Sequence, residues 1–182
     1  MTVQIRAHLA ITLDGYATAP AGYPAVGMMP GFEPGVSYGN VEFMRQCDAV
    51  VMGRSTFLPA VDAAWWPWPG KQVYVLTSRP LPANSPDGVI ASAGGPAALL
   101  EQVRSAGHGR DVQILGGPST VQAFLELDAV DRLELQIMPI LGGAGLALFG
   151  PGPIRGPLEL DQVRRFDDGT VGLEYALRRH RP

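Results

Sequence analysis

Three short stretches, each directly after an apolar run, carry hydroxyl side chains together with glycine, arginine or both. The first is Gly53-Arg54-Ser55-Thr56, which follows the run from Ala49 to Met52. A strand that leads into a helix N-terminus exposes backbone N–H groups, and these attract anions. Glycine lets a ligand approach the backbone, while arginine and hydroxyl side chains donate hydrogen bonds to phosphate oxygens. The stretch therefore predicts a phosphate-binding corner, and an ordinary strand–turn–helix junction is the alternative.

The second stretch is Thr77-Ser78-Arg79, at the end of a β-rich run that begins at Val73. The third is Gly116-Gly117-Pro118-Ser119-Thr120, after the run 112–115, and its proline suits a first helical position. Ligands of open α/β sheets bind outside the carboxyl ends of the strands. Three corners of this kind in one chain predict a nucleotide-type ligand.

Composition narrows the class of protein. The chain has 182 residues, of which 46% are hydrophobic and 17% charged, and we expect one globular domain over residues 1–182. A formal net charge of -3 disfavours nucleic acid as a partner. No run approaches the roughly 20 apolar residues of a membrane span, so no membrane partner is expected. Cys47 is the only cysteine and no signal-peptide pattern is present, which favours a cytoplasmic protein without a metal site.

Strand and helix signals alternate along the chain. Residues 3–11 alternate apolar and polar side chains, as a strand does. Further strands are predicted at 49–52, 72–77, near Val89, 112–115 and 131–140, and helices from Ser55, over 96–106 and over 118–127. This order predicts an α/β fold with three α-β-α layers and a mostly parallel central sheet. Asp167-Asp168-Gly169 predicts an antiparallel hairpin at the C-terminal edge of that sheet.

Other segments carry weaker signals. The glycine- and proline-rich residues 18–38 are predicted to form a long loop that closes over the site, and Asn40 is predicted to cap a short helix. Residues 142–145 are interpreted as a bulged turn. Tryptophans 65, 66 and 68 either stack on a flat substrate or pack a loop against the core, and packing is favoured.

Six short motifs follow one another along the chain, at residues 12–16, 53–56, 77–79, 115–117, 131–135 and 139–143. In the order and spacing of these motifs the chain resembles the dihydrofolate-reductase-like superfamily. The most similar branch is the reductase domain of the bifunctional riboflavin-biosynthesis deaminase/reductase and its stand-alone relatives. Leu115 stands directly before Gly116-Gly117, where the riboflavin reductases often carry an acid.

The resemblance implies an NADPH-dependent reductase, a homodimer in the riboflavin branch, and a role for each corner. Arg54 and Ser78 would hold the 2′-phosphate of NADPH, with Arg79 nearby, and Thr77 would lie beside the adenosine half. Ser55 and Thr56 would bind the pyrophosphate. Gly53 belongs to the same corner. Gly116 and Gly117 would approach the nicotinamide-side phosphate, and in dihydrofolate reductases the corresponding Gly-Gly peptide bond is cis. Ser119 and Thr120 would complete the phosphate-binding site.

Hydride transfer also calls for a proton donor, and three residues are candidates. Asp14 would sit where the first strand meets the nicotinamide, although Asp14-Gly15 is also an ordinary turn pair. His8 is predicted on the strand face opposite Ile5, Leu9 and Ile11, as a donor or as a packed core residue. Glu42 is the third candidate. The expected substrate is a small pterin-, pyrimidine- or flavin-like heterocycle, and a dinucleotide-binding regulatory module without turnover is the alternative.

Overall fold

A computed structural model describes residues 3–22, 24–30, 38–152 and 156–177. Ten strands are present in these ranges: β1 Ile5–Thr12, β2 Tyr16–Thr18, β3 Cys47–Gly53, β4 Gln72–Leu76, β5 Val89–Ser92, β6 Asp111–Gly116, β7 Arg132–Met138, β8 Leu146–Ala147, β9 Glu159–Arg165 and β10 Val171–Ala176. The α-helices are α1 Asn40–Arg45, α2 Arg54–Val61, α3 Gly95–Ser105 and α4 Pro118–Glu126. A short 3-10 helix, Ala25–Met28, lies within the segment predicted as a loop. Residues 31–37 of that segment lie outside the described residues, so its closure over the site stays a prediction.

The main sheet has eight strands in the order β5-β4-β3-β6-β1-β7-β10-β9. The six strands from β5 to β7 are parallel to one another, while β10 is antiparallel to both β7 and β9. The predicted mostly parallel sheet with an antiparallel C-terminal edge hairpin is confirmed. Because β6 returns between β3 and β1, the strand order reverses there, and ligands of open α/β sheets bind at such a point.

Apolar side chains on the two faces of the sheet form two separate cores. On one face, helices α3 and α4 pack against strand residues such as Ile5, Val51 and Ile114. On the other, Phe57 of α2 and Met44 of α1 pack with Val50, Met52, Val73 and Val75. Buried parallel strands carry apolar residues on both faces, which explains the nearly unbroken run from Ala49 to Met52. The three-layer prediction is confirmed.

Several local predictions need correction. Gly39, not Asn40, precedes helix α1 and takes a left-handed φ of 84°, so Asn40 becomes the first helical residue and does not cap the helix. The glycine-rich turn near 142–145 leads into β8, which pairs with β2 in a separate two-stranded sheet. Neither β2 nor β8 was predicted, because both are too short to show a period.

The tryptophan loop packs into the protein. Trp68 is buried beside Trp66, and Trp66 in turn meets the Phe57 ring of α2 edge to face with centroids 6.2 Å apart. Trp65 is exposed. The packing alternative for Trp66 and Trp68 is therefore confirmed.

Candidate active site

The three sequence-predicted corners meet at one edge of the sheet. Strands β4, β3 and β6 are adjacent and parallel, and each corner follows the carboxyl end of one of them. A Cβ atom at Gly53 would lie 2.9 Å from the Thr120 hydroxyl oxygen, so the first turn of α4 closes directly on the first corner. A Cβ atom at Gly117 would lie 3.5 Å from the Thr56 hydroxyl oxygen. We call this region the three-corner edge (residues 53–56, 77–79 and 116–120).

Hydrogen bonds link the corners further. Arg54 Nη1 donates to the carbonyl oxygen of Pro80 at 2.8 Å, which ties the first corner to the chain just beyond the second. Within the second corner, the backbone N–H of Arg79 donates to the Thr77 hydroxyl at 3.1 Å. Ser78 and Arg79 are exposed to solvent. Two cationic side chains, Arg54 and Arg79, therefore stand at one edge beside hydroxyl groups.

Two helix N-termini point to the same edge. Helix α2 begins at Arg54 and α4 begins at Pro118, and neither has a side-chain cap. Uncapped first-turn N–H groups and the positive end of the helix dipole both favour an anion. The Gly116–Gly117 peptide is cis, as the resemblance implies. This combination of close-approaching glycines, uncapped N-termini, hydroxyl groups and arginine fits the phosphates of a dinucleotide.

Asp14 is held by hydrogen bonds from both sides. Its carboxylate accepts a hydrogen bond from the Thr12 hydroxyl at 2.6 Å and from the backbone N–H groups of Gly142 and Gly143 at 2.8 Å each. These three donors, the hydroxyl first, lower the pKa of Asp14 to about 2. A carboxyl group that stays ionised at neutral pH has no proton to donate. The contacts favour a role for Asp14 in joining the β1–β2 turn to residues 142–143.

A second polar region lies on the sheet face that α1 covers. Alternation places Arg6 and His8 of β1 on this face, opposite Ile5, Ala7 and Ile11, as predicted for His8. The neighbouring strand β7 adds Glu134, paired in register with His8, and Gln136. All four side chains are less than a tenth exposed. We call them the buried polar cluster (Arg6, His8, Glu134 and Gln136).

Glu134 stands between two basic side chains. Its Oε1 accepts a hydrogen bond from Arg6 Nε at 2.6 Å, and its Oε2 lies 3.4 Å from His8 Nδ1. Burial alone raises the pKa of the Glu134 carboxyl, but the hydrogen bonds and charges of His8 and Arg6 outweigh burial and lower it. Glu134 is therefore an ionised carboxylate in a buried position.

Arg6 and His8 are fixed by further contacts. Arg6 Nη1 donates to Gln46 Oε1 at 2.6 Å and to Asp111 Oδ2 at 3.1 Å, and the guanidinium carbon lies 4.6 Å from the centre of the Phe43 ring. Burial lowers the pKa of Arg6, but the two carboxylates overcome this effect and raise it. The His8 ring stacks on the same Phe43 ring at 4.4 Å.

A pocket of about 160 Å³ opens above this cluster, between α1 and strands β1, β7, β9 and β10. Its outer wall carries Glu42, Arg164 and Glu174, while His8, Glu134 and Gln136 form its floor. Gln136 Oε1 is buried and has no hydrogen-bond partner among the described residues. A Cβ atom at Gly172 would lie 2.9 Å from that oxygen. The pocket thus offers a buried carboxylate, an imidazole and an unpaired amide oxygen to a polar ligand.

The sequence analysis missed Arg6, Glu134 and Gln136 as candidate site residues. A signal for these residues is present in the sequence. Both β1 and β7 alternate polar with apolar residues, whereas buried parallel strands are usually apolar on both faces. What the sequence does not state is the register that brings the two polar rows together.

Clusters of metal ligands and membrane-spanning helices can be assessed in the described parts of the chain. Within residues 3–22, 24–30, 38–152 and 156–177, no group of three or more His, Cys, Asp or Glu side chains is arranged to hold a metal ion. None of the helices described is both long and apolar enough to cross a membrane.

Comparison with known proteins decides the family. The profile of the RibD C-terminal domain matches residues 3–172. This chain belongs to the RibD C-terminal domain family. The dihydrofolate-reductase-like resemblance and its riboflavin branch are thereby confirmed. The chain is also 28% identical over 171 residues to YwjB, an uncharacterized protein of Bacillus subtilis, and the match covers 92% of this chain and 94% of YwjB.

Solved structures agree with this family. A crystal structure named "Putative riboflavin biosynthesis protein" from Shewanella sp. PV-4 superposes with a TM-score of 0.83 at 26% identity, covering 97% of this chain and 100% of that one. The Thermotoga maritima diaminohydroxyphosphoribosylaminopyrimidine deaminase/5-amino-6-(5-phosphoribosylamino)uracil reductase superposes with a TM-score of 0.72 at 16% identity. The match covers 97% of this chain but 57% of the Thermotoga protein, and at this identity it shows the fold alone.

Proposed function

We propose that this protein is an NADPH-dependent reductase that acts on a small heteroaromatic substrate of the pterin, pyrimidine or flavin type. The observation that carries the proposal is the meeting of the three corners, where a Cβ atom at Gly53 would lie 2.9 Å from the Thr120 hydroxyl oxygen and one at Gly117 would lie 3.5 Å from the Thr56 hydroxyl oxygen. Each corner follows its own strand, and their meeting at one edge near the strand reversal is the arrangement that a dinucleotide needs. Reduced NADPH supplies a hydride, and the protein supplies position and electrostatics.

The roles proposed for the corners are those that the family resemblance implies. Arg54, with Ser78 and Arg79, takes the 2′-phosphate, and the cationic and hydroxyl side chains of these residues suit that anion. Ser55 and Thr56 take the pyrophosphate at the start of α2. Gly116 and Gly117 let the nicotinamide-side phosphate approach the backbone, and Ser119 and Thr120 add donors from α4.

The pocket over the buried polar cluster is the proposed substrate site. Its carboxylates and amides accept hydrogen bonds, and amino and ring N–H groups of a pyrimidine-like heterocycle donate them. The reductase named in the Thermotoga protein acts on an aminouracil, which supports a pyrimidine-like substrate for this chain.

The test begins with calorimetric titration of the purified protein with NADPH and NADH at one salt concentration. Tight NADPH binding with weak NADH binding is expected, because only NADPH carries the 2′-phosphate. A dihydropterin, an aminouracil and riboflavin are then screened for oxidation of bound NADPH. Failure of both dinucleotides to bind contradicts the proposal.

The second candidate is a regulatory module that binds the dinucleotide without turnover. Leu115 favours it, because this residue stands directly before Gly116 where the riboflavin reductases often carry an acid. Tight NADPH binding with no oxidation by any of the three heterocycle classes would support this candidate over the reductase.

A further inference from the structure

We infer that His8 is the proton donor of the proposed reduction and that Glu134, anchored by Arg6, is its positioning residue. This inference rests on the proposed function. It assigns a task to three buried groups that the dinucleotide site does not use, and it selects one donor from the three candidates of the sequence analysis.

The other two candidates fit the task less well. Asp14 is an anion held by three donors, and it faces the turn at residues 142–143. Glu42 is exposed on α1, so solvent surrounds its carboxyl group and nothing described fixes its direction. His8 lies in the pocket floor, less than a tenth exposed, with its ring plane fixed by Phe43.

The contacts of His8 define which of its nitrogens can give up a proton. Nδ1 faces the Glu134 carboxylate at 3.4 Å, so a proton on Nδ1 is stabilised there. No described residue accepts a hydrogen bond from Nε2. The geometry resembles the carboxylate–histidine pairs in which the acid holds the ring in one tautomer and stabilises its cationic form.

Arg6 keeps Glu134 in this position. It binds Glu134 Oε1 through Nε, while its Nη1 is bound to Gln46 and Asp111. The guanidinium is therefore held in one orientation, and Glu134 Oε2 is left to face His8. A carboxylate shared in this way between a permanent cation and an imidazole is fixed in direction and charge.

The proton balance is simple. Addition of a hydride to the carbon of a substrate C=N bond moves the π electron pair to nitrogen, which then needs one proton. The Nε2–H bond of cationic His8 breaks, its electron pair stays on the ring, and a new N–H bond forms on the substrate. His8 is left neutral with its proton on Nδ1 beside Glu134, and water at the pocket mouth returns a proton to Nε2.

The first test needs neither substrate nor cofactor. Ring-nitrogen NMR of the ligand-free protein, followed to a pH at which the His8 ring is neutral, should show the remaining ring proton on Nδ1, and the His8→Gln spectrum identifies the signal among the three histidines. In Glu134→Gln this preference should weaken. A neutral ring protonated on Nε2 in the wild type, or an unchanged signature in Glu134→Gln, overturns the positioning role.

The second test is kinetic and uses pre-bound NADPH and the best substrate of the screen. His8→Gln should lower the rate of a single turnover by roughly 100-fold or more, the usual share of a general acid. NADPH affinity should stay unchanged, because His8 is not one of the residues of the three-corner edge. His108→Gln is the matched control, since His108 lies beside Tyr74 and not in the pocket.

The pH profile separates a catalytic role from a structural one. The charged or titratable groups that line the same pocket are Arg6, Tyr38, Glu42, Glu134, Arg164 and Glu174. The wild-type rate should fall as pH rises and the donor loses its proton. His8→Gln should remove this fall, and Glu134→Gln should move it to lower pH with a rate loss of about tenfold or more.

Each result decides between the two proposals. A His8→Gln rate and pH profile equal to those of the wild type overturn the donor role while leaving the reductase intact. Failure of the wild type to bind NADPH overturns the reductase and the donor role together. If Glu134→Gln does not fold, His8→Gln still decides, because it leaves the Arg6–Glu134 pair in place.

Discussion

At the three-corner edge Arg79 and Ser78 are exposed, whereas Arg6, His8 and Glu134 on the neighbouring sheet face are each less than a tenth exposed. Ser78 and Arg79 keep their side-chain donors open to solvent, as a site for an incoming anion requires. The charges of the buried polar cluster are paired with one another and with Asp111, and Gln136 Oε1 is the one cluster atom recorded as buried without a hydrogen-bond partner among the described residues. Charges at the edge are therefore available for binding, while charges in the cluster hold one another in place.

The largest effect is expected when Arg6, the central cation of the buried polar cluster, is removed. Arg6→Ala leaves Glu134 as a buried anion with His8 as its only cationic neighbour among the described contacts. Loss of one partner from a buried ion pair costs about 3–5 kcal/mol. Urea denaturation should show a decrease of that size in the free energy of unfolding. Arg110→Ala removes an exposed pair with Asp48 and should cost about 0–1 kcal/mol; equal losses in the two variants would contradict the distinction.

The second variant, Gly117→Val, adds a side chain at the three-corner edge. Gly117 has a φ of -65°, which valine adopts readily, so Gly117→Val adds bulk without demanding a left-handed backbone. The added methyl groups should block the phosphate from the first turn of α4, removing charge-assisted hydrogen bonds worth about 1.5–3 kcal/mol each. NADPH affinity measured by calorimetry should fall roughly 100-fold or more. Gly152→Val is the control, because nothing lies within 4 Å of a Cβ atom there.

The third variant sharpens the assignment of one cation. Arg54→Ala should weaken NADPH by about 10- to 100-fold, the value of one hydrogen bond to a charged group. NADH affinity should change little, because NADH lacks the 2′-phosphate. Parallel calorimetric titrations of both dinucleotides measure the ratio. Equal weakening of the two would remove Arg54 from the 2′-phosphate site.

The smallest effect concerns Asp14, which joins the β1–β2 turn to residues 142–143. Its pKa of about 2 lies below the ordinary value of 3.8, so ionised Asp14 stabilises the fold at neutral pH. That contribution disappears as pH falls through the range from about 4 to about 2. Asp14→Asn should therefore be less stable than the wild type at pH 7, and thermal melts should converge toward pH 2. A stability difference that does not change with pH would contradict this role, and a loss of turnover with NADPH affinity intact would restore Asp14 as a donor.

The three-corner edge could be predicted because each corner is contiguous in the sequence. Glycine, hydroxyl and arginine residues follow an apolar run within a few positions, and parallel topology then brings the strand ends together. The sequence pattern predicted the six parallel strands of the sheet and most of helices α2, α3 and α4. The residues that bind the dinucleotide stay a prediction, as does the homodimer.

The buried polar cluster could not be predicted in the same way. Arg6 and Glu134 are 128 residues apart, and their contact depends on the register of β1 against β7, which no local pattern specifies. The β2–β8 pair and the left-handed Gly39 escaped prediction for a related reason, since each is set by tertiary contacts rather than by propensity.

The position of β1 in the sheet has a consequence for how the protein folds. Its two neighbours are β6 and β7, so Ile5 pairs with Val112 and Arg6 with Arg132. More than 100 residues separate the two sides of each pairing, and pairings of such high contact order close slowly because the entropy of the loop is lost before the contacts form. The strand that carries both Arg6 and His8 therefore cannot gain its hydrogen bonds until residues 111–138 are in place. Amide protons of β1 should become protected in pulsed hydrogen exchange no earlier than those of β3 and β4, whose pairing spans far fewer residues.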